Sequence, residues 1–391
     1  MKKLIFRMLG LVLLVAVFSN AFGAPKVHKG FNGPIGLNPQ ARAELQDAGV
    51  DKYVGQFTPA SSVEVGDGWT KHTFDPESGN GPICIAGTPY SVFTRAGNPS
   101  RLLVFNQGGG ACWQDFYFCN ILSEEQEPPL VRAGIWDFDN KDNPFASYSM
   151  VYMPYCDGST FTGDNDVQDP GFPYGTVRFH RGLRNLTAGM DLARATFPRA
   201  RMVTVAGSSA GGVGASAFSP FLARFVFGNR TRLTVLNDAG PIAVNLNDVA
   251  GVSARAADWD FGKFYPASCT DCDPYGQPAA LISWRLDNDN AIREAFYETD
   301  ADATNRFFLM VPTQLQYRNL VLGVTDPIAL RHPHRFKRFI VSGDTSHTAL
   351  QEPLFYSQQA DGVPLNEWSR NLIFPGKNSW LDLVEAFTPA P

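Results

Sequence analysis

Apolar runs of strand length recur along this chain, and most give way to small or polar residues and then to a stretch with helical spacing. Residues 101–106 (Arg-Leu-Leu-Val-Phe-Asn) form one such run, closed by Gln107-Gly108-Gly109-Gly110, and residues 149–154, 202–206, 233–236, 280–284 and 338–342 form others. A short segment that is apolar at nearly every position suits a strand buried on both faces. Residues 181–197 place Leu183, Leu186, Met190, Ala193 and Phe197 along one face of a helix that stops before Pro198. Upstream, residues 53–90 scatter aromatic and β-branched positions between Gly, Pro and Asp turns, the pattern of short antiparallel strands. Residues 25–51 read as a polar strap, and residues 124–143 as a surface insertion. The alternation of strand and helix predicts an α/β fold: a mainly parallel central sheet, helices on both faces, and reactive groups on loops at the carboxyl ends of the strands.

One junction organises the rest. The run ending at Ala206 breaks into Gly207-Ser208-Ser209-Ala210-Gly211, a Gly-x-Ser-x-Gly elbow, and small residues then carry a helix to about Phe218, with a kink or a new segment at Pro220. No lysine follows as in a phosphate-binding loop, so the elbow points to hydroxyl chemistry at Ser209. A serine needs an imidazole to take its proton and a carboxylate to orient that imidazole. Of six histidines, His347 alone directly follows a late strand. Asp287, after the run 280–284, is the expected carboxylate; Asp238 is its main rival, Asp289 lies one register away, and Asp344 ranks third. The glycines after residue 106 expose backbone N–H groups, which in ester hydrolases of the α/β type form half of an oxyanion hole, the N–H of Ala210 forming the other half.

Composition narrows the setting. Lys2, Lys3 and Arg7 precede an apolar run from Met8 to Phe18 and then small residues, so residues 1–23 read as a signal peptide, leaving residues 24–391 as a single catalytic domain. That run is too short to span a bilayer, no comparable run follows, and no cysteine adjoins it, so neither a membrane span nor a lipid anchor is expected. The net charge of −5 becomes −8 once the three basic residues of the leader are removed, which argues against nucleic acid as a partner. Six cysteines in the exported part suggest disulfides: Cys112 with Cys119, Cys269 with Cys272, and Cys84 left with Cys156. A zinc site at Cys269 and Cys272 lacks further ligands nearby, and no metal is expected. The acidic run 157–169 reads as a solvated loop rather than a calcium site; His332-Pro-His334 reads as a surface loop, and His180 as a capping or packing residue.

A string of motifs, in order from Cys84 to His347, resembles the pectin acetylesterase and Notum family of serine carboxylesterases. They are Cys84-Ile-Ala-Gly-Thr-Pro, Gly108-Gly109-Gly110-Ala111-Cys112 with Cys119, Asn143-Pro144, Met153-Pro154-Tyr155-Cys156 with Gly163-Asp164, the elbow, Asp238-Ala239-Gly240, and a late Asp and His. The resemblance implies an α/β-hydrolase-like fold, a triad of Ser209, Asp287 and His347, an oxyanion hole from Gly108, Gly109 and Ala210, and disulfides Cys84–Cys156 and Cys112–Cys119. Ala111 stands where the family has tryptophan, Pro241 where it has an aromatic residue, and Ala86 where it has aspartate.

The expectation is a secreted or periplasmic esterase that needs no cofactor and acts on an acylated substrate, with acetyl groups on a polysaccharide such as pectin first. Esters of longer acyl chains, lipids or polyesters are the alternative within enzymes, since 30 phenylalanines provide apolar surface. An inactive carbohydrate-binding exported protein is the alternative outside them.

Overall fold

The computed structural model describes residues 36–76, 79–122, 132–374, 376 and 379–391. The expected leader lies outside the described residues, as does most of the first half of the expected insertion. Helix α1 (Pro39–Asp47) begins at Asn38, whose side chain accepts the Ala41 N–H, so residues 25–51 are not all strap. Then come β1 (Ser61–Gly66), β2 (Trp69–Thr73), β3 (Ser91–Arg95), β4 (Asn98–Asn106), the hairpin β5 (Gly110–Trp113) and β6 (Phe116–Cys119), β7 (Tyr148–Met153), and the hairpin β8 (Asn165–Gln168) and β9 (Val177–His180). Helix α2 (Gly182–Thr196) leads to β10 (Met202–Ser208), α3 (Ala210–Ser216), α4 (Ser219–Phe227), β11 (Arg232–Asp238), α5 (Val249–Trp259), α6 (Ala279–Asn288) and β12 (Ile292–Thr299). The chain closes with α7 (Ala303–Phe308), α8 (Gln314–Arg331), β13 (Phe336–Val341), α9 (Leu354–Ser357), β14 (Gln359–Ala360), β15 (Val363–Pro364), α10 (Leu365–Ile373) and β16 (Leu383–Val384).

Ten strands form one sheet in the order β1-β2-β3-β7-β4-β10-β11-β12-β13-β16. The first three are antiparallel, and from β7 onward every pairing is parallel. Period-two alternation sorts each parallel strand between two cores. Leu102 and Val104 of β4, Val203 and Val205 of β10, and Leu233 and Val235 of β11 pack with residues of α1, α2, α4, α6 and α8. Leu103, Phe105, Ala206, Leu236 and Tyr297 face the other way, against Trp136, α9 and α10. Burial on both faces explains why these strands read as unbroken apolar runs. No single helix among the described residues is long and apolar enough to cross a membrane.

All six cysteines are paired, as Cys84–Cys156, Cys112–Cys119 and Cys269–Cys272, which is the chemistry of an oxidising compartment. Among the described residues no group of acidic, histidine or cysteine side chains is arranged to hold a metal.

Three expectations need correction. Residues 280–284 are the middle of α6, not a strand; a short apolar run reads equally well as a buried helix face, and here Leu281, Ile282, Trp284 and Leu286 supply one. The acidic run 157–169 is not a solvated loop, because Asp157, Asp164 and Asp169 are buried. Asp164 meets Lys52 and Arg184 at 2.6 Å, and Asp169 meets Arg178 at 2.7 Å, so distant basic residues neutralise the run. His332 is not in a surface loop but is buried at the end of α8. His180, by contrast, is a packed residue, with Nδ1 bonded to the Asp157 carbonyl and Nε2 to Arg178.

Candidate active site

Strand β10 runs apolar and buried to its carboxyl end, where the chain turns through Ser209 into α3. Ser209 has φ 56° and ψ −123°, a conformation that a non-glycine residue holds only when its surroundings enforce it. The enforcement is steric. A Cβ on Gly207 would lie 2.2 Å from the Gly211 carbonyl oxygen, and one on Gly211 would lie 2.0 Å from that of Asn106, so β10, α3 and β4 approach to backbone contact. The turn is further held by the Ser209 N–H, which donates to the Asp238 carbonyl at 2.8 Å.

The glycine loop lies against this elbow. A Cβ on Gly108 would sit 3.0 Å from Ser209 Cβ, and one on Gly109 would run into Asn120 and Tyr155. Asn120 bonds the carbonyls of both glycines, at 2.8 Å to Gly109 and 3.4 Å to Gly108, while Cys112–Cys119 closes the β5–β6 hairpin behind them. The carbonyls are thus engaged on one side, and the N–H groups of Gly108 and Gly109 have no acceptor among the described residues. Ala210 is the first residue of α3, where a helix leaves its N–H groups unpaired.

Beyond β13 the chain reaches His347. Its Nδ1 lies 2.6 Å from Oδ2 of Asp302, which is fully buried, and its Nε2 is buried with no hydrogen-bond partner. With Nδ1–H donated to the carboxylate, Nε2 carries the free lone pair that a general base requires. No hydrogen bond joins Ser209 to His347 as the side chains stand. Asp302 is fixed from its other side, accepting the Asn305 N–H at 2.7 Å as the cap of α7. Next to it is Glu298, whose carboxyl is pushed well up by burial and by the Asp302 charge; Tyr317 donates to it at 2.7 Å and Asn305 at 3.0 Å.

The two parts are joined through Asp238, at the carboxyl end of β11. Its buried carboxylate accepts the Ser208 hydroxyl at 2.5 Å and the N–H groups of Ala349 at 2.9 Å and Leu350 at 3.0 Å. Burial raises this carboxyl to about 6 despite those three donors. One side chain therefore ties the residue before Ser209 to the loop that carries His347.

Asp287 is not the carboxylate beside His347. It sits in the last turn of α6 and pairs with Arg331 at 2.7 Å and His332 at 3.3 Å. Once the run before it is a helix, the strand next to β11 becomes β12, and the residues leaving its carboxyl end are Asp300 and Asp302. The alternation in Ile292-Arg-Glu-Ala-Phe-Tyr-Glu-Thr299 followed by Asp-Ala-Asp was the signal available in the sequence. Asp289 is buried against Arg224, and Asp344 accepts from Ser346 and Gln358.

Ser209 opens into a cavity of about 140 Å³ with a mostly apolar wall that includes Val213, Phe218, Ile242, Trp259, Ile282 and Phe308. Ala111 and Pro241, two of the three residues that depart from the resembled family, also line it. Their smaller side chains leave room that tryptophan or another ring would fill.

A mainly parallel sheet wrapped by helices, with a serine on a strained turn at the carboxyl edge of a central strand, is an α/β-hydrolase-like fold. Residues 70–261 match the pectinacetylesterase family. It is similar to pectin acetylesterase 11 of Arabidopsis thaliana, 26% identical over 209 residues, which cover 49% of this chain and 52% of the relative. The chain thus matches about half the length of that curated relative. The family match takes in the glycine loop and the elbow and ends before Asp302 and His347.

Proposed function

We propose that the chain is a serine carboxylesterase that removes acyl groups, acetyl in the first instance, from an exported polysaccharide substrate of the pectin type. The observation that carries this reading is the His347–Asp302 pair, with Nε2 left buried and unpartnered, held through Asp238 to the elbow of Ser209. Ser209 Oγ attacks the ester carbonyl as Nε2 of His347 takes its proton. The carbonyl oxygen becomes an oxyanion that accepts from the N–H groups of Gly108, Gly109 and Ala210, each such donor contributing about 3 kcal/mol to the transition state. Collapse expels the alcohol, which leaves with the proton from His347, and a water deprotonated by His347 then releases the carboxylic acid and restores Ser209. Asp302 holds the imidazole in the required tautomer and offsets its charge.

The apolar cavity favours a second reading of the acyl group, in which chains longer than acetyl are accepted, and a series of p-nitrophenyl esters orders the two by the length at which kcat/KM falls. Replacing Ser209 with Ala should lower p-nitrophenyl acetate hydrolysis by roughly 10⁵-fold or more with no change in the unfolding transition. An unchanged rate in the variant would end the esterase reading. Comparison of acetate release from pectin and from xylan then identifies the polymer.

A further inference from the structure

Helix α5 forms one wall of the cavity beside Ser209, and Arg255 is the one charged side chain among the described residues that line it. Its side chain is only 11% exposed, yet no hydrogen bond joins its guanidinium to any described residue. The buried arginines differ. Arg178, Arg181, Arg184, Arg224, Arg285, Arg318 and Arg338 each hold a carboxylate within 2.8 Å. Arg255 has only Asp248, at 4.0 Å, and that residue is already engaged in capping α5 through the Gly251 N–H.

A partly buried guanidinium that faces an apolar cavity with no hydrogen-bonding carboxylate beside it is poorly compensated until an anion arrives, and burial accordingly holds its pKa below the usual arginine range. Its position is fixed with respect to the reacting centre. The guanidinium carbon lies 4.9 Å over the ring of Trp113, and Trp113 stacks on Phe116 at 4.0 Å. Trp259, from the end of the same helix, donates its indole N–H to the Cys112 carbonyl at 2.8 Å, which locks α5 onto the strand that continues from the glycine loop. The fork of a guanidinium matches a carboxylate in two parallel hydrogen bonds, a match that an ammonium cannot make.

We propose that Arg255 determines specificity by binding a carboxylate group carried by the ester substrate, so that the enzyme prefers acidic esters to neutral ones of the same size. This rests on the esterase reading of Ser209. The carboxylate has two possible sources, the sugar acid on the alcohol side or a dicarboxylic acyl group, and two matched pairs of substrates separate them. One pair is O-acetylated methyl galacturonate against O-acetylated methyl galactoside. The other is p-nitrophenyl hydrogen glutarate against p-nitrophenyl pentanoate. In wild type the acidic member of one pair should have the higher kcat/KM, and the responding pair names the source.

In R255Q the acidic-to-neutral ratio for that pair should fall about 10- to 100-fold, mainly through KM, with R255K between the two. Equal kcat/KM for acidic and neutral members in both pairs, or an unchanged ratio in R255Q and R255K, would overturn the proposal. A binding measurement separates this outcome from failure of the esterase reading. On S209A, Trp fluorescence is titrated with galacturonate and with glutarate, and saturable binding should appear for one of them and vanish in S209A/R255Q. Absence of binding by both anions would count against Arg255 even if esters are hydrolysed, and binding lost with Arg255 would support it even if they are not.

Discussion

At the elbow, Ser209 is positioned by contacts among backbones, with Gly207, Gly211 and Gly108 each leaving no room for a Cβ. On the other side of the candidate site, His347 and Asp302 lie 45 positions apart and meet through side-chain hydrogen bonds between loops. The first region is rigid because atoms fill the space and the second because polar groups are satisfied, so they should fail differently. Crowding the elbow should damage fold and activity together, whereas changing one atom beside His347 should spare the fold and stop the chemistry.

The sharpest test of the polar side is D302N, expected to reduce kcat roughly 10⁴-fold with p-nitrophenyl acetate by favouring the wrong tautomer of His347. D287N should stay within about twofold, since among the described residues Asp287 pairs with Arg331 and His332, away from His347. The reverse order of these two variants would restore Asp287 as the carboxylate. On the steric side, G211A forces a Cβ against the Asn106 carbonyl and should cost about 3 kcal/mol in a urea-unfolding measurement. A G211A protein as stable as wild type would show that the elbow can relax.

Asp238 belongs to both regions, which makes D238N a test of their connection. An amide cannot accept at both positions where the Ala349 and Leu350 N–H groups point, so one buried donor loses its partner at a cost of about 2 kcal/mol. The loop carrying His347 should loosen, lowering kcat while S209A in the same background shows the same stability loss. Unaltered kcat in D238N would mean that the loop is placed by its other contacts, such as those to Asp300, Thr299 and Asp302.

The remaining effect is in pH dependence. Burial, and then Arg178, hold His180 down to about 3 from its ordinary 6.5. A lowered pKa contributes stability that is present above pH 6.5 and is lost as pH falls toward 3, by at most about 1.4 kcal/mol per pH unit. Asp157 and Asp238, raised to about 6 from 3.8 by burial, act oppositely: their contribution is present below 3.8 and is lost as pH rises through 6. H180Q should therefore become less acid-sensitive than wild type in unfolding curves between pH 6.5 and 4. Parallel curves for the two proteins would remove His180 as a contributor.

What could be read without coordinates follows the same division. The parallel sheet, the strands on either side of the elbow, α2, the break near Pro220 and the tight turn at Ser209 were legible because local sterics and apolar period constrain each residue type where it stands. The three cysteine pairings were legible as well, two of them from short separations and the third by what remained. The acid was not. Residues 279–288 satisfy a buried strand and a buried helix face equally, and tertiary contacts, packing against α8 and the pairing of Arg285 with Glu294 of β12, selected the helix, moving the carboxyl end of the strand from Asp287 to Asp302. Likewise the buried run 157–169 looked solvated because Lys52, Arg178 and Arg184, which neutralise it, come from other parts of the chain. Sequence alone determined which positions must be small or apolar, since those demands are local. The tertiary structure decided which charges meet, since the energy of a buried ion pair depends on partners that only folding brings within reach.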